Sequence, residues 1–336
     1  MPKNRDQAVK VVLVTKSADN PASRYRADPI LARLGARGDE VTVFREPDLV
    51  RQLELLLAVR KADLVLVQRK LPTPLISGLI SRVGPPLVFD FDDAIFLRTN
   101  GEVSPTRHRR FRAMVSRASL VFAGNEYLAE AARGFSAARI QVLPTAVDVS
   151  RYPGHAELPV EPTLVWIGSR STSRYLHQER AMLEALGAAI PGLRLKVIAD
   201  FELRLDNLEV INIPWSKDVE VLELTRSHVG IAPMADDPWT RGKCALKVIQ
   251  YMAAGLPVVS SKAGANSEVI VHGETGYLAE TTEDWVRHVT GLLASEAHLR
   301  AMGKAARERA ERCYSQEAVI RHAIEAMDEL LDSRQR

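Results

Sequence analysis

Cysteine is scarce: Cys244 and Cys313 are the only two in 336 residues, too few for a disulfide framework or a structural zinc site. No sequence pattern pairs Cys244 with a base, so it reads as a small packed residue. Long apolar runs are missing too. None approaches the roughly 18 to 20 residues that a membrane-crossing helix requires, and Met1–Lys10 is too polar for a signal peptide, so a cytoplasmic location is expected. Glycine is absent from Val11–Pro21, VVLVTKSADNP, where a dinucleotide site needs G-x-G-x-x-G between strand and helix; a nicotinamide or flavin dehydrogenase is thereby disfavoured. A net charge of only +3 lacks the basic footprint of a general nucleic-acid binder, and no nucleic-acid partner is expected.

What is present is an ordinary globular balance of 46% hydrophobic and 26% charged residues, in a chain long enough for two domains of roughly 150 residues each. Short apolar runs at Val11–Thr15, Val41–Phe44, Leu64–Gln68, Leu87–Phe91, Leu120–Ala123 and Ile140–Leu143 alternate with helical patterns. A second series follows at Leu164–Ile167, Leu195–Ile198, Val210–Ile213, Gly230–Pro233 and Val258–Ser260. The pattern predicts an α/β protein of two doubly wound, mostly parallel sheets. Tyr152–Pro162, with three prolines and a glycine, reads as the linker. The expected domains are 1–157 and 158–315, followed by a helix over 316–336 with one apolar stripe at Val319, Ile320, Ala323, Ile324, Met327 and Leu331.

The most informative stretch is Thr240–Ala279, TRGKCALKVIQYMAAGLPVVSSKAGANSEVIVHGETGYLA. A helix starting near Gly242 puts Lys243 and Lys247 on one face with Gln250, and Ala245, Val248, Ile249 and Met252 on the other. Gly255 closes the helix and Pro257 opens a buried strand. A helix N-terminus reinforced by two lysines suits a phosphate or diphosphate. Gly168–Thr172, after the first strand of the second series, offers backbone N–H groups and hydroxyls to phosphate oxygens, with Arg170 or Arg174 adding charge. Asp90, Asp92 and Asp93 end the fourth strand. Carboxylates this close suit acid/base work or hydroxyl binding, and the same string could cap a turn or hold a divalent metal. Ser23, Arg24, Tyr25 and Arg26 form a basic group at the C-terminal edge of the first sheet, where ligands of α/β folds collect. Arg107–Arg117, RHRRFRAMVSR, reads as a solvated helix face or a contact for an anionic acceptor or membrane surface.

The order KCALKVIQYMAAGLPVVSS then GANSEVIVHGETGYLA, with LVWIGSRSTSRYL, LVFAGNEYL, IQVLPTAVD and PLVFDFDDAIF before it, resembles glycosyltransferase family 4 over most of the chain. The resemblance implies the GT-B architecture of two facing Rossmann-like domains, with the C-terminal helix packing back on the first. It implies a retaining transferase that uses a nucleotide diphosphate sugar as co-substrate, needs no metal or other cofactor, and serves a glycan or lipid-linked acceptor, with peripheral membrane contact. The donor-binding set it implies is Gly168, Ser169, Arg170, Thr172, Asp237, Gly242, Lys243, Cys244, Ala245, Lys247, Gln250, Asn266 and Glu268. Asp92 and Asp93 stand at the catalytic strand end, and Ser23, Arg24 and Arg26 on the acceptor side. The chain departs from the family where a His precedes the strand-end Asp, where a glycine pair follows the first strand, and where two glutamates lie eight positions apart. Gly242 and Gln250 stand in the glutamates' places. No lysine accompanies Arg170, so Lys243 and Lys247 take its role. These departures keep open a nucleotide-sugar-binding subunit with little catalysis, or a nucleotide-sugar epimerase of similar fold.

Overall fold

In the computed structural model, residues 8–16, 22–45, 49–82, 84–154 and 158–334 are described; residues 17–21 of the glycine-free stretch and 155–157 of the expected linker lie outside them. Two compact units emerge: 1–146 with 237–244 and 316–336, and 147–236 with 245–315.

Each unit is built on a six-stranded parallel sheet. In the first, β1 (Lys10–Thr15), β2 (Glu40–Arg45), β3 (Leu64–Gln68), β4 (Leu87–Phe91), β5 (Leu120–Ala123) and β6 (Arg139–Val142) run in the order β2-β1-β3-β4-β5-β6. In the second, β7 (Thr163–Ile167), β8 (Arg194–Ala199), β9 (Glu209–Pro214), β10 (Val229–Ala232), β11 (Val258–Ser261) and β12 (Gly276–Ala279) run in the order β12-β11-β10-β7-β8-β9. Both orders reverse beside the first strand of their sheet, the switch point at which open α/β sheets bind ligands.

Helices cover both faces, so the central strands are apolar along their whole length. Strand periodicity sorts their residues in the first unit: Val12, Val14, Val65, Val67, Phe89 and Phe91 enter one core, while Val11, Leu13, Leu64, Leu66 and Val88 enter the other. The helix Gln316–Arg334 contributes Val319, Ile320, Ala323, Ile324, Met327 and Leu331 to that second core, and Asp328 pairs with Arg37 at 2.7 Å.

The division falls after Ala146 and not at 157, because Tyr152, expected in a linker, is buried in the second unit and donates its hydroxyl to Glu220 at 2.9 Å. Residues 237–244, expected in the second domain, belong to the first unit. The Asn125 side-chain amide donates to the carbonyls of Arg241 and Lys243, both at 2.9 Å, and Cys244 and Trp239 pack into the first unit's core. Among the described residues, no helix is long and apolar enough to cross a membrane.

Candidate active site

The first unit gathers its charged groups at the C-terminal ends of β1, β3 and β4. Gln68 lies beside Asp90 in the sheet; it accepts from Thr15 Oγ1 at 2.5 Å and donates to the Ala22 carbonyl at 3.1 Å. Asp90 is buried against Arg26, which grips both carboxylate oxygens, Nε to Oδ2 at 3.0 Å, and donates through Nη1 to the Leu143 carbonyl at 2.9 Å. Burial pushes the Asp90 carboxyl above its usual range against the pull of Arg26. Burial also opposes the Arg26 charge, yet the carboxylate outweighs it and holds the guanidinium protonated. Arg26 therefore does not face an acceptor. Nor does Ser23, which is buried with its hydroxyl 3.3 Å from that of Thr15. Arg24, half-buried, lies over the Tyr25 ring and donates to its hydroxyl at 3.0 Å.

Asp92 and Asp93 share a residue that sequence reasoning missed. Arg69, directly after β3, pairs with Asp93 and places Nη1 3.4 Å from Asp92 Oδ1. Its backbone is left-handed, with φ 55°, a strained conformation for a side chain of this size. The available signal was position, a basic residue at the C-terminal edge of a central strand. Asp93 also accepts from Lys243 Nζ at 2.7 Å. Asp92 Oδ1 is buried and makes no hydrogen bond.

Lys243 is not on the helix expected to carry it. The short helix Pro238–Arg241 ends at Gly242, Ala245 turns left-handed with φ 51°, and the next helix runs Leu246–Ala253. Lys243 thus precedes the helix and lies 4.5 Å from the Trp239 ring centroid, so the expected two-lysine face is not formed. Gly242 is a packing residue: a Cβ there would stand 2.6 Å from the Ala94 Cβ and 2.7 Å from its nitrogen. Asp237 caps the short helix, its Oδ1 accepting from the Trp239 and Thr240 nitrogens, both at 2.8 Å. Cys244 is buried and donates to the Asp92 carbonyl at 3.2 Å. Burial, then the Asp92 charge, pushes its thiol up to about 12, which suits packing and not nucleophilic chemistry.

In the second unit a glycine loop, a threonine hydroxyl and a lysine come together. Gly168 follows β7, where a Cβ would stand 2.2 Å from the Trp166 ring and 2.7 Å from Thr172 Oγ1. Only glycine lets the loop descend onto the indole. The Ser169 nitrogen donates to Thr172 Oγ1 at 3.1 Å; the Arg170 nitrogen donates to Asp200 Oδ1 at 2.5 Å, and its exposed side chain donates through Nη2 to the Asp200 carbonyl at 3.2 Å. Lys247, in the first turn of its helix, donates to Thr172 Oγ1 at 3.3 Å, and its ammonium lies 3.8 Å from the Trp166 ring centroid. Tyr251, also unforeseen, anchors that helix. Its hydroxyl accepts from the Ile167 nitrogen at 3.0 Å and donates to the Ile231 carbonyl at 3.2 Å.

Two expected donor contacts turn to internal partners in this unit. Gln250 is buried and donates to Glu220 at 2.7 Å, so the expected ribose hydrogen bond is replaced by an internal one. Asn266 is buried and donates to Ser260 Oγ at 2.8 Å. Ala245 serves as the N-cap. Glu268 is exposed on the short helix Asn266–Val269.

Comparison with known proteins assigns both regions to one enzyme class. Residues 4–146 match the model of the glycosyl transferase 4-like domain, and residues 195–309 that of glycosyl transferases group 1. The GDP-Man:Man(3)GlcNAc(2)-PP-Dol alpha-1,2-mannosyltransferase of Dictyostelium discoideum is 25% identical over 175 residues, which make up 52% of this chain and 31% of that protein. The chain spans less than a third of the length of the curated relatives it matches. Among solved structures, sucrose-phosphate synthase from Thermosynechococcus elongatus is similar with a TM-score of 0.73 and 16% identity, covering 97% of this chain and 100% of that one. HepE of Anabaena, solved with UDP and glucose, has a TM-score of 0.67 and 16% identity, covering 96% and 100%. The fold is accordingly that of two Rossmann-like domains of the GT-B kind.

Proposed function

We propose, for a chain that belongs to the glycosyltransferases by both its 4-like and its group 1 regions, that it transfers a sugar from a nucleoside diphosphate donor to an acceptor hydroxyl with retention of configuration and without a metal ion. The observation that carries the proposal is the Lys247 ammonium, held by the Trp166 ring and the Thr172 hydroxyl beside the Gly168 loop. Departure of the sugar places negative charge on the leaving diphosphate. Lys247, the exposed Arg170 and the N–H groups opening the Leu246–Ala253 helix supply positive charge for it.

Asp92 is assigned to a sugar or acceptor hydroxyl, because its buried Oδ1 lacks a hydrogen-bond donor. Arg69 and Lys243 hold Asp93 beside it. Metal independence is supported by the same ion pairs, since Asp90 and Asp93 each already face a cation. The donor is a nucleotide sugar, and the acceptor a glycan or a lipid-linked glycan met at a membrane surface.

A thermal-shift screen of UDP-, GDP- and ADP-sugars identifies the donor. Mass spectrometry of acceptor extract incubated with it, in excess chelator, then tests transfer. Mass gain of one sugar on the acceptor, at a rate unchanged by chelator, is the expected result. Conversion of donor alone would point to epimerisation, and loss of transfer restored by manganese would make Asp90, Asp92 and Asp93 metal ligands.

A further inference from the structure

Residues 237–244 belong to the first unit, and their docking there centres on one side chain. Asn125 follows β5 and is 2% exposed. Its Oδ1 accepts from the Leu128 nitrogen at 2.9 Å, capping the helix Glu126–Arg133. That bond fixes which way the amide faces, and both N–H groups of Nδ2 are then taken up by the Arg241 and Lys243 carbonyls. Gly124 and Gly242 are required nearby by close approach and not by backbone angle, since neither takes a positive φ. A Cβ on Gly124 would overlap the Cys244 sulfur and stand 3.0 Å from the Asp92 Cα, and one on Gly242 would overlap Ala94. Gly242 thus meets Ala94, Lys243 meets Asp93 and Cys244 meets Asp92, residue for residue. Asn125 holds the backbone that carries the first of these two sets.

We infer that Asn125 is a positioning residue for the transfer: by latching residues 241–243 it sets Lys243 against Asp93 and, with Cys244 on the Asp92 carbonyl, fixes the direction of Asp92. The inference rests on the assignment of Asp92 to a hydroxyl in the proposed function and names the residue that keeps that carboxylate aimed. Asp92 Oδ1 makes no hydrogen bond, so its aim depends on the backbone it stands on, which is the backbone that residues 242–244 touch. Helix capping alone does not ask for an amide here. Serine and aspartate cap about as well as asparagine, but neither can also donate two hydrogen bonds. The 241 and 243 carbonyls therefore account for the choice of asparagine, and they lie more than a hundred positions away in the chain.

The test uses Asn125→Ser and Asn125→Asp in the full chain, because both keep the helix cap. Serine removes the two donated bonds, and aspartate sets a carboxylate oxygen against the two carbonyls. Cys244, buried in the docked segment, reports the latch without any ligand: iodoacetamide should reach it at least about tenfold faster in both variants than in the natural sequence, with Cys313 as the internal standard. Transfer to acceptor extract, from whichever UDP-, GDP- or ADP-sugar binds, should fall about tenfold with serine and further with aspartate. Affinity for the matching nucleoside diphosphate should stay within about twofold, whereas misfolding would lower both. In a Lys243→Ala background the serine substitution should add little, since the one acts through the other. Cys244 as protected in both variants as in the natural sequence would overturn the latch. Release of Cys244 with transfer unchanged would overturn the positioning role. Asp92→Asn distinguishes this failure from that of the underlying reading: full transfer by Asp92→Asn would remove the hydroxyl assignment and the inference with it, whereas an inactive Asp92→Asn beside fully active Asn125 variants would remove the inference alone.

Discussion

In the first unit Arg26, Arg69 and Lys243 are matched against Asp90, Asp92 and Asp93, with the pair at Arg26 closed off from water. In the second unit the Lys247 ammonium lies against the Trp166 ring and donates to the Thr172 hydroxyl. The difference suits the two tasks that the proposed transfer would set. An interlocked cluster can fix the direction of a carboxylate toward a hydroxyl, whereas a cation seated on a ring face can answer the charge that develops on a leaving diphosphate.

Breaking the interlocked side should have the largest effect. Arg26→Met strands a buried carboxylate and should cost about 3–5 kcal/mol in denaturant titration, while Arg26→Met with Asp90→Leu should recover most of it. A single variant as stable as the natural sequence would mean that the pair is not an internal support. Arg69 sharpens the same side, because removing its side chain and relieving its backbone are separable. Arg69→Gly should be about 1 kcal/mol more stable than Arg69→Ala, since glycine accepts the positive φ freely. Both should slow transfer while leaving nucleoside diphosphate affinity unchanged. Equal stability of the two variants would remove strain from the account.

Cys244 offers a test through pH. Its thiol ordinarily titrates near 9 and is pushed up to about 12 by burial, so above pH 9 the unfolded chain loses this proton before the folded one. Stability should therefore fall between pH 9 and 10 by up to about 1.4 kcal/mol more in the natural sequence than in Cys244→Ala. At pH 8 alkylation should reach Cys313 well before Cys244. Parallel pH profiles for the two proteins would place the thiol nearer solvent than the structure has it.

Much of the architecture was legible in the sequence because parallel strands buried on two faces leave unbroken apolar runs, as at LVLVQ in β3 and LVFDF in β4. The places of Gly168, just after β7, and of Lys247, in the first turn of its helix, were legible because strand and helix ends carry local signals. Lys243 was placed on the wrong element because nothing in the letters Cys244-Ala245 announces a left-handed alanine. The loyalty of residues 237–244 to the first unit depends on Asn125, 118 positions before Lys243, and such a partner has no local trace. Gln250 pointed the other way for a similar reason: its partner Glu220 lies on a separate helix.

Calorimetric titration of the natural protein and Lys247→Ala with a nucleoside diphosphate and with the free nucleoside tests most directly whether Lys247 serves the diphosphate of the proposed donor. Loss of one charged hydrogen bond, about 1.5–3 kcal/mol, should weaken the diphosphate roughly ten- to hundredfold and leave the nucleoside unchanged. Equal losses for the two ligands would contradict the assignment and return Lys247 to a structural role.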